Sequence, residues 1–332
     1  MFGPDAQKVV QLILVRNRQA HTRDSRKTRW PAARHRVKLG HSMNSFRLLL
    51  LPWMLLATLV ASAADKSIVL IAGVPSHAPA EHEFRAGCLL LADCLRKVPG
   101  IQVTVASNGW PADISVLRSA DAVVIYCDGG DGHPAIRPER LKLLDELAAK
   151  GVGIGAAHYG VEVPAGDPGF AMLRWTGGYF EKFWSINPTW TAELKNLPVH
   201  PVTRGVKPFQ IHDEWYYHMR FTPDMQGVTP ILSAVAPKNT VGPNGPHSGN
   251  PFVRAEVARG DAQHLMWVLN RPNGGRGFGF TGGHYHKNWA DPDFRKIVLN
   301  AIVWLAGAEV PAGGIESSVT AEQLQLNLDP KK

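Results

Sequence analysis

Short runs of apolar, β-forming residues alternate with helix-forming segments, and this alternation limits what the chain can fold into. Ser67–Ala72 (SIVLIA), Ile101–Ala106 (IQVTVA), Ala122–Cys127 (AVVIYC) and Val152–Ala157 (VGIGAA) each read as a buried strand. Glu81–Val98 places Phe84, Cys88, Leu91, Leu95 and Val98 on one helical face, and Pro99-Gly100 stops it. Arg137–Lys150 reads as a second helix, with Pro138 in its first turn and Gly151 just past its end. Strands and helices in this order predict an α/β fold, with right-handed crossovers between the strands of a mostly parallel central sheet.

The pattern then loosens. Gly177–Phe221 is rich in Trp, Tyr and His, and Gly242–Asn250 is a Gly/Pro/Asn loop. Short strands are predicted at Ile231–Val235, Phe252–Val257 and Leu265–Leu269. Regularity returns at Gly277–Gly282, a Gly-rich strand. Asp291 caps a helix whose first residue is Pro292 and whose apolar face carries Phe294, Ile297, Val298, Ala301, Ile302 and Leu305. After Pro311 the chain is polar and is expected to be loosely held.

The formal net charge of +8 invites a nucleic-acid reading, but its distribution removes it. Residues 1–42 hold ten Lys/Arg and two acids, which is the whole excess, and residues 43–332 are formally neutral. A neutral domain presents no broad field to phosphates, so nucleic acid is excluded as a partner. Met43–Arg47 is a short basic lead, Leu48–Val60 an apolar run, and Ala61-Ser62-Ala63 a small-residue cleavage site. This is the pattern of a secretory signal, too short to span a membrane. The expected organisation is therefore an over-extended, disordered start over 1–42, a signal peptide over 43–63, one α/β domain over 65–310 and a polar tail over 311–332. The mature protein is expected to be exported, periplasmic or secreted, without stable membrane insertion. Cys88, Cys94 and Cys127 make no disulfide framework and read as small buried hydrophobes.

In an open parallel sheet, ligands bind beyond the carboxyl ends of the strands. Four segments that follow strands there each carry a histidine: Gly73–His77, Asp128–His133, His158–Gly160 and Gly283–Trp289. Histidine suits proton transfer and metal ligation. His158 follows a strand directly and is flanked by glycine, the arrangement of a nucleophile elbow. The exposed residue at that turn would have no hydroxyl or thiol, which argues against a Ser or Cys nucleophile. In His212–His218, Asp213 or Glu214 could serve as a base or a metal ligand, and aromatic neighbours such as Tyr217 could stack on a sugar. His284 and His286 alternate along an extended stretch, so only one should enter a pocket. No His-Glu-x-x-His or Cys-x-x-Cys spacing marks a metal site.

These residues together resemble the ThuA-like family, named for trehalose utilisation. The likeness rests on Ile71–His77, the Gly151–His158 elbow, Gly177–Phe180, His200–Gly205 leading to Asp213–Tyr216, and Gly275-Arg276, Gly283-His284 and Trp304 in that order. It spans about Lys66–Ala308. It implies a three-layer, flavodoxin-like sandwich of the class I glutamine-amidotransferase-like kind. Because His158 stands where an amidotransferase has its cysteine, amidotransferase activity does not carry over. The resemblance implies disaccharide catabolism on keto-sugar intermediates. An isomerase, lyase or hydrolase would use His158 or Glu214 as base. His284, or a divalent metal such as zinc held by His77 and its neighbours, would stabilise the oxyanion. Asp213, Tyr217, His286 and Trp289 would join His77 in binding substrate. The alternatives are a non-catalytic carbohydrate-binding or accessory subunit of a sugar dehydrogenase, and a zinc hydrolase of another substrate. The expected partner is a small carbohydrate, and association of identical copies is compatible with the sequence.

Overall fold

The structure is a computed structural model that describes residues 65–331. The signal peptide expected over 43–63, and the stretch before it, lie outside these residues. In chain order the elements are β1 (Lys66–Ala72), α1 (Phe84–Leu95), β2 (Ile101–Ala106), β3 (Ala122–Tyr126), α2 (Pro138–Ala149), β4 (Gly153–Ala157) and α3 (Asp167–Thr176). There follow β5 (Gly178–Tyr179), β6 (Thr189–Leu194), β7 (Phe209–Glu214), β8 (Arg220–Phe221), β9 (Val228–Val235), α4 (Pro251–Arg259), β10 (Ala262–Asn270), β11 (Arg276–Phe280) and α5 (Pro292–Leu305).

Seven strands form one sheet in the order β2-β1-β3-β4-β11-β10-β9. The first five are parallel; β10 then pairs antiparallel with β11, and β9 antiparallel with β10. With β11 counted as the fifth parallel strand, the order 2-1-3-4-5 is that of flavodoxin. The strands carry apolar residues continuously, as a sheet covered on both faces requires. Ile68, Leu70, Ala122 and Val124 pack with Leu91, Ile297 and Val298 of α1 and α5. Val69, Ile71, Val123 and Ile125 pack with Leu144, Leu147 and Met172 of α2 and α3. The fold is thus the expected three-layer α/β sandwich. The β6–β7 hairpin, through Trp190, Ala192 and Leu194, joins the core of the α1–α5 face.

Three local expectations are corrected. The first helix begins at Phe84, because Ala80 (φ 67°) and His82 (φ 47°) are left-handed and keep Glu81–Glu83 out of it. Phe252–Val257 is helical, not a strand: Asn250 Oδ1 accepts from the amides of Phe252 and Val253 at 2.9 and 3.0 Å, and Pro251 takes the first position. The segment after Pro311 is tied down. Arg295 bonds Ser317, the amide of Ile315 donates to Asn300, and Asp329 pairs with Arg85. All three cysteines are free and buried, and burial pushes their thiols up.

Candidate metal centre

The register sets Ala72, Tyr126, Ala157 and Phe280, the last residues of β1, β3, β4 and β11, side by side. The loops that follow them therefore emerge at one edge, and the Asp213-Glu214 end of β7 reaches the same place. His158 leaves β4 in a left-handed conformation (φ 52°) that turns its ring inward, where it is fully buried rather than displayed at an elbow tip. His284 follows Gly283, whose φ of 108° suits only glycine. The Asp213 carboxylate is fully buried and accepts from the amides of Gly283 and His284 at 2.7 and 3.0 Å. It fixes the backbone of the loop and does not face the cluster.

Four side chains converge: His82, His158, His284 and Glu214. His82 Nε2 lies 3.0 Å from both His158 Nε2 and His284 Nδ1. Glu214 Oε2 lies 3.2 Å from His284 Nδ1 and 3.6 Å from His158 Nε2. The outer nitrogens decide the tautomers. His158 Nδ1 stands 3.0 Å from the Thr281 carbonyl, and His82 Nδ1 stands 3.0 Å from Asp128 Oδ1. Both partners only accept, so both Nδ1 atoms carry the proton. The two facing Nε2 atoms are then bare lone pairs 3.0 Å apart, and no hydrogen bond can form between them. A cation between them would satisfy both. Neighbouring ligands ~2.0–2.2 Å from a divalent cation stand about 2.9–3.6 Å apart between octahedral and tetrahedral geometry, the range seen here, so positions beyond the four side chains can stay open. Asp128 behind His82, and Glu81 Oε1 3.6 Å from His284 Nε2, complete carboxylate–histidine pairs of the kind that orient metal ligands. The residues fit a divalent cation.

The electrostatics agree. Burial, reinforced by His77 and His284, lowers the pKa of His82 to about 2, and burial with His82 drives that of His158 well down. Both rings are neutral ligands at pH 7. Burial opposes ionisation of Glu214, but His284, His158 and Tyr216 together hold its pKa below the usual range. Burial also disfavours charge on His284, yet Glu214, Asp213 and Glu81 outweigh it and raise the pKa. Both shifts favour a charged His284–Glu214 pair, whose proton a bound cation would have to displace.

Around this centre stand His77, Asp128, Tyr159 and Tyr216. His77 stacks on His82 with ring centres 3.5 Å apart, its Nδ1 3.8 Å from Asp128 Oδ1 and its side chain partly exposed. Tyr216 donates to Glu214 Oε2 at 3.1 Å and lies 3.3 Å from His158 Nε2. Burial, with Glu162 and Asp128, pushes the Tyr159 hydroxyl up to about 12. Glu162 is buried and holds His247 Nε2 at 3.1 Å from each oxygen.

Of the residues singled out in the sequence, His158, Glu214 and His284 come together and His77 adjoins them. Asp213 supports His284 from behind. The other three lie in buried surroundings: Tyr217 bonds Thr240 Oγ1 at 2.5 Å, Trp289 packs on Tyr126, and His286 is buried near Glu83. His133 is a structural residue bonded to the Gly160 carbonyl and the Ala135 amide. The sequence reading missed His82, because the helical spacing from Phe84 onward was extended back over it. Its signal was the cluster Glu81-His82-Glu83, two carboxylates around a histidine at a helix start. A groove of about 620 Å³ lies at the opposite end of the sheet among Ala148, Leu173, Pro223, Leu269 and Pro272, and among the described residues no comparable cluster lines it.

The family model described as "ThuA: Trehalose utilisation" matches residues 72–305. The chain belongs to the ThuA family. All four converging residues of this ThuA protein lie inside the matched span. Among solved structures, it is similar to a ThuA-like protein from Bacteroides uniformis (17% identity, TM-score 0.51, 73% of this chain and 92% of that one). It is also similar to a ThuA-like protein from Parabacteroides merdae (18%, TM-score 0.50, 74% and 92%). A glutamine amidotransferase from Thermotoga maritima aligns at 10% identity and TM-score 0.41, over 74% of this chain and 100% of that one. No curated protein matches. Membership of the family ties the protein to carbohydrate metabolism.

Proposed function

We propose that this ThuA protein is a metal-dependent enzyme that acts on an uncharged keto-sugar or keto-disaccharide after export. The observation that carries the reading is the pair of bare imidazole nitrogens, His82 Nε2 and His158 Nε2, facing each other at 3.0 Å beside His284 and Glu214. A cation held there would polarise a sugar carbonyl and its neighbouring hydroxyl oxygen. His77, with Asp128 behind it, is on the accessible side of the centre and takes the proton from the carbon next to the carbonyl. Tyr159 stays protonated at neutral pH and donates to the oxyanion that develops. His158 and Glu214 are turned into the centre and act as ligands rather than as the base.

The charges around the centre argue for a neutral substrate. Glu81, Asp128 and Glu162 are carboxylates, and the cations beside this region, Lys182 and Lys331, are paired with Glu162 and Glu83. A phosphorylated sugar would meet repulsion. A carbohydrate-binding protein without chemistry would stack sugar on exposed aromatic faces at its site, but Tyr216, the ring that bonds Glu214 there, is buried. The test is turnover of keto-disaccharides by protein loaded with zinc, manganese or cobalt. His77→Ala is expected to lower kcat by about 100-fold or more with the cation still bound. Equal turnover by the chelated and loaded protein would overturn the reading.

A further inference from the structure

Two of the converging ligands depend on the loop Ala80–Glu83, and that loop is held from two sides. On one side the His82 amide donates to the His284 carbonyl and the His286 amide to the Ala80 carbonyl, both at 3.0 Å. On the other side stands Leu328–Lys331. The Glu83 carboxylate, almost wholly buried, accepts from the Ala80 amide at 3.1 Å and from the Asp329 amide at 2.8 Å. Lys331 Nζ pairs with the same carboxylate at 3.2 Å, its side chain only 5% exposed, and also donates to the Glu81 carbonyl. Arg85 adds bonds to Asp329 Oδ1 at 3.0 Å and to the Leu328 carbonyl at 3.1 Å.

We propose that Leu328–Lys331 is a strap that sets His82 in the metal centre, with Lys331 and Asp329 as positioning residues for cation binding; this rests on the metal reading above. A buried lysine–glutamate pair is a poor source of stability compared with apolar packing, and its best-attested use is to fix one arrangement. Here it fixes a loop whose left-handed Ala80 and His82 must be imposed by their surroundings. The strap reaches both ends of the ligand set, because the residue whose carbonyl Lys331 holds, Glu81, also faces His284 Nε2.

The experiment compares wild type, Lys331→Met, Lys331→Arg, Asp329→Asn and a chain ending at Gln325. Zinc affinity is measured by chelator competition, and backbone hydrogen exchange of the Pro79–Leu90 peptide is measured without metal. Lys331→Met and the shortened chain are expected to bind zinc at least tenfold more weakly and to exchange the Glu81–Phe84 amides faster, with Lys331→Arg restoring both. Unchanged exchange, or faster exchange with unchanged zinc affinity, would overturn the strap. If Lys331→Met fails to fold, Asp329→Asn, which keeps the backbone bond to Glu83, decides on the same two readouts. A wild type that binds no zinc would reject the metal centre while the exchange comparison still judged whether the strap orders the loop.

Discussion

Replacing Asp128 by asparagine gives a sharp test of the centre. The Asp128 carboxylate accepts the Nδ1 proton of His82 at 3.0 Å and does not itself join the four converging atoms. An amide oxygen of the same shape can still accept that proton, so the cation-free fold should lose less than about 1 kcal/mol. What changes is the basicity and aim of His82 Nε2. Loss of such a supporting carboxylate weakens metal binding by about 10–100-fold, or about 1.4–2.7 kcal/mol. At a cation concentration 100 times the wild-type Kd, binding stabilises the wild type by about 2.7 kcal/mol, and a variant binding roughly thirtyfold more weakly by about 0.9 kcal/mol. For a domain of this size 1 kcal/mol moves Tm by about 2 °C, so the cation-dependent shift should fall from roughly 5 °C to roughly 2 °C. The assay is thermal unfolding of both proteins with and without zinc, alongside chelator competition. No shift in the wild type refutes a cation at these four residues. An equal shift in the variant refutes the coupling of Asp128 through His82.

His158→Ala and His284→Ala should each abolish the zinc-dependent shift, whereas Tyr217→Phe should leave it intact in the same assay. Burial lowers the pKa of His133 from 6.5 to about 4, so the unfolded chain binds its proton first and stability falls as pH drops from about 6.5 toward 4. That gap corresponds to about 3 kcal/mol, and denaturant titrations at several pH values should show the slope diminished in His133→Gln. Gly283→Ala puts a side chain at φ 108° and should cost about 2 kcal/mol while weakening zinc binding, read by calorimetry. Asn250→Ala removes the cap of α4 and should cost about 1 kcal/mol with zinc affinity unchanged, which makes it a control for stability alone.

The parallel sheet was legible because Val, Ile and Leu run continuously through β1 and β3, and β4, although built of Gly and Ala around Ile154, carries no polar residue; sheets covered on both faces demand that. The location of the site at the carboxyl edge followed from topology, which pointed to His77, His133, His158 and His284, while Glu214 stood out from the His212–His218 segment. His82 was hidden because local spacing cannot report a positive φ imposed by contacts with residues 283–286 and 328–331. Side by side in sequence, Tyr216 and Tyr217 gave no sign of which would face the centre; the end of β7 turns Tyr216 toward Glu214 and Tyr217 toward Thr240. The β-branched residues of Phe252–Val257 argued for a strand, while Asn250-Pro251, a readable helix start, was the stronger signal. Polar composition after Pro311 gave no hint of Lys331 buried against Glu83, since such a pair depends on specific partners more than 240 residues away.

The four converging residues come from far apart in the chain: His82 and His158 are separated by 76 positions, His82 and His284 by 202. A cation bound there is in effect a cross-link that closes very long loops. In chain-entropy terms, closing a loop of a hundred residues or more restricts the unfolded ensemble by about 5 kcal/mol. The centre cannot assemble until β11 has docked beside β4, so uptake of metal would report that docking. Once formed, it should also clip the two parts of a chain cut within Gly242–Asn250, keeping a nicked molecule whole for as long as the cation stays.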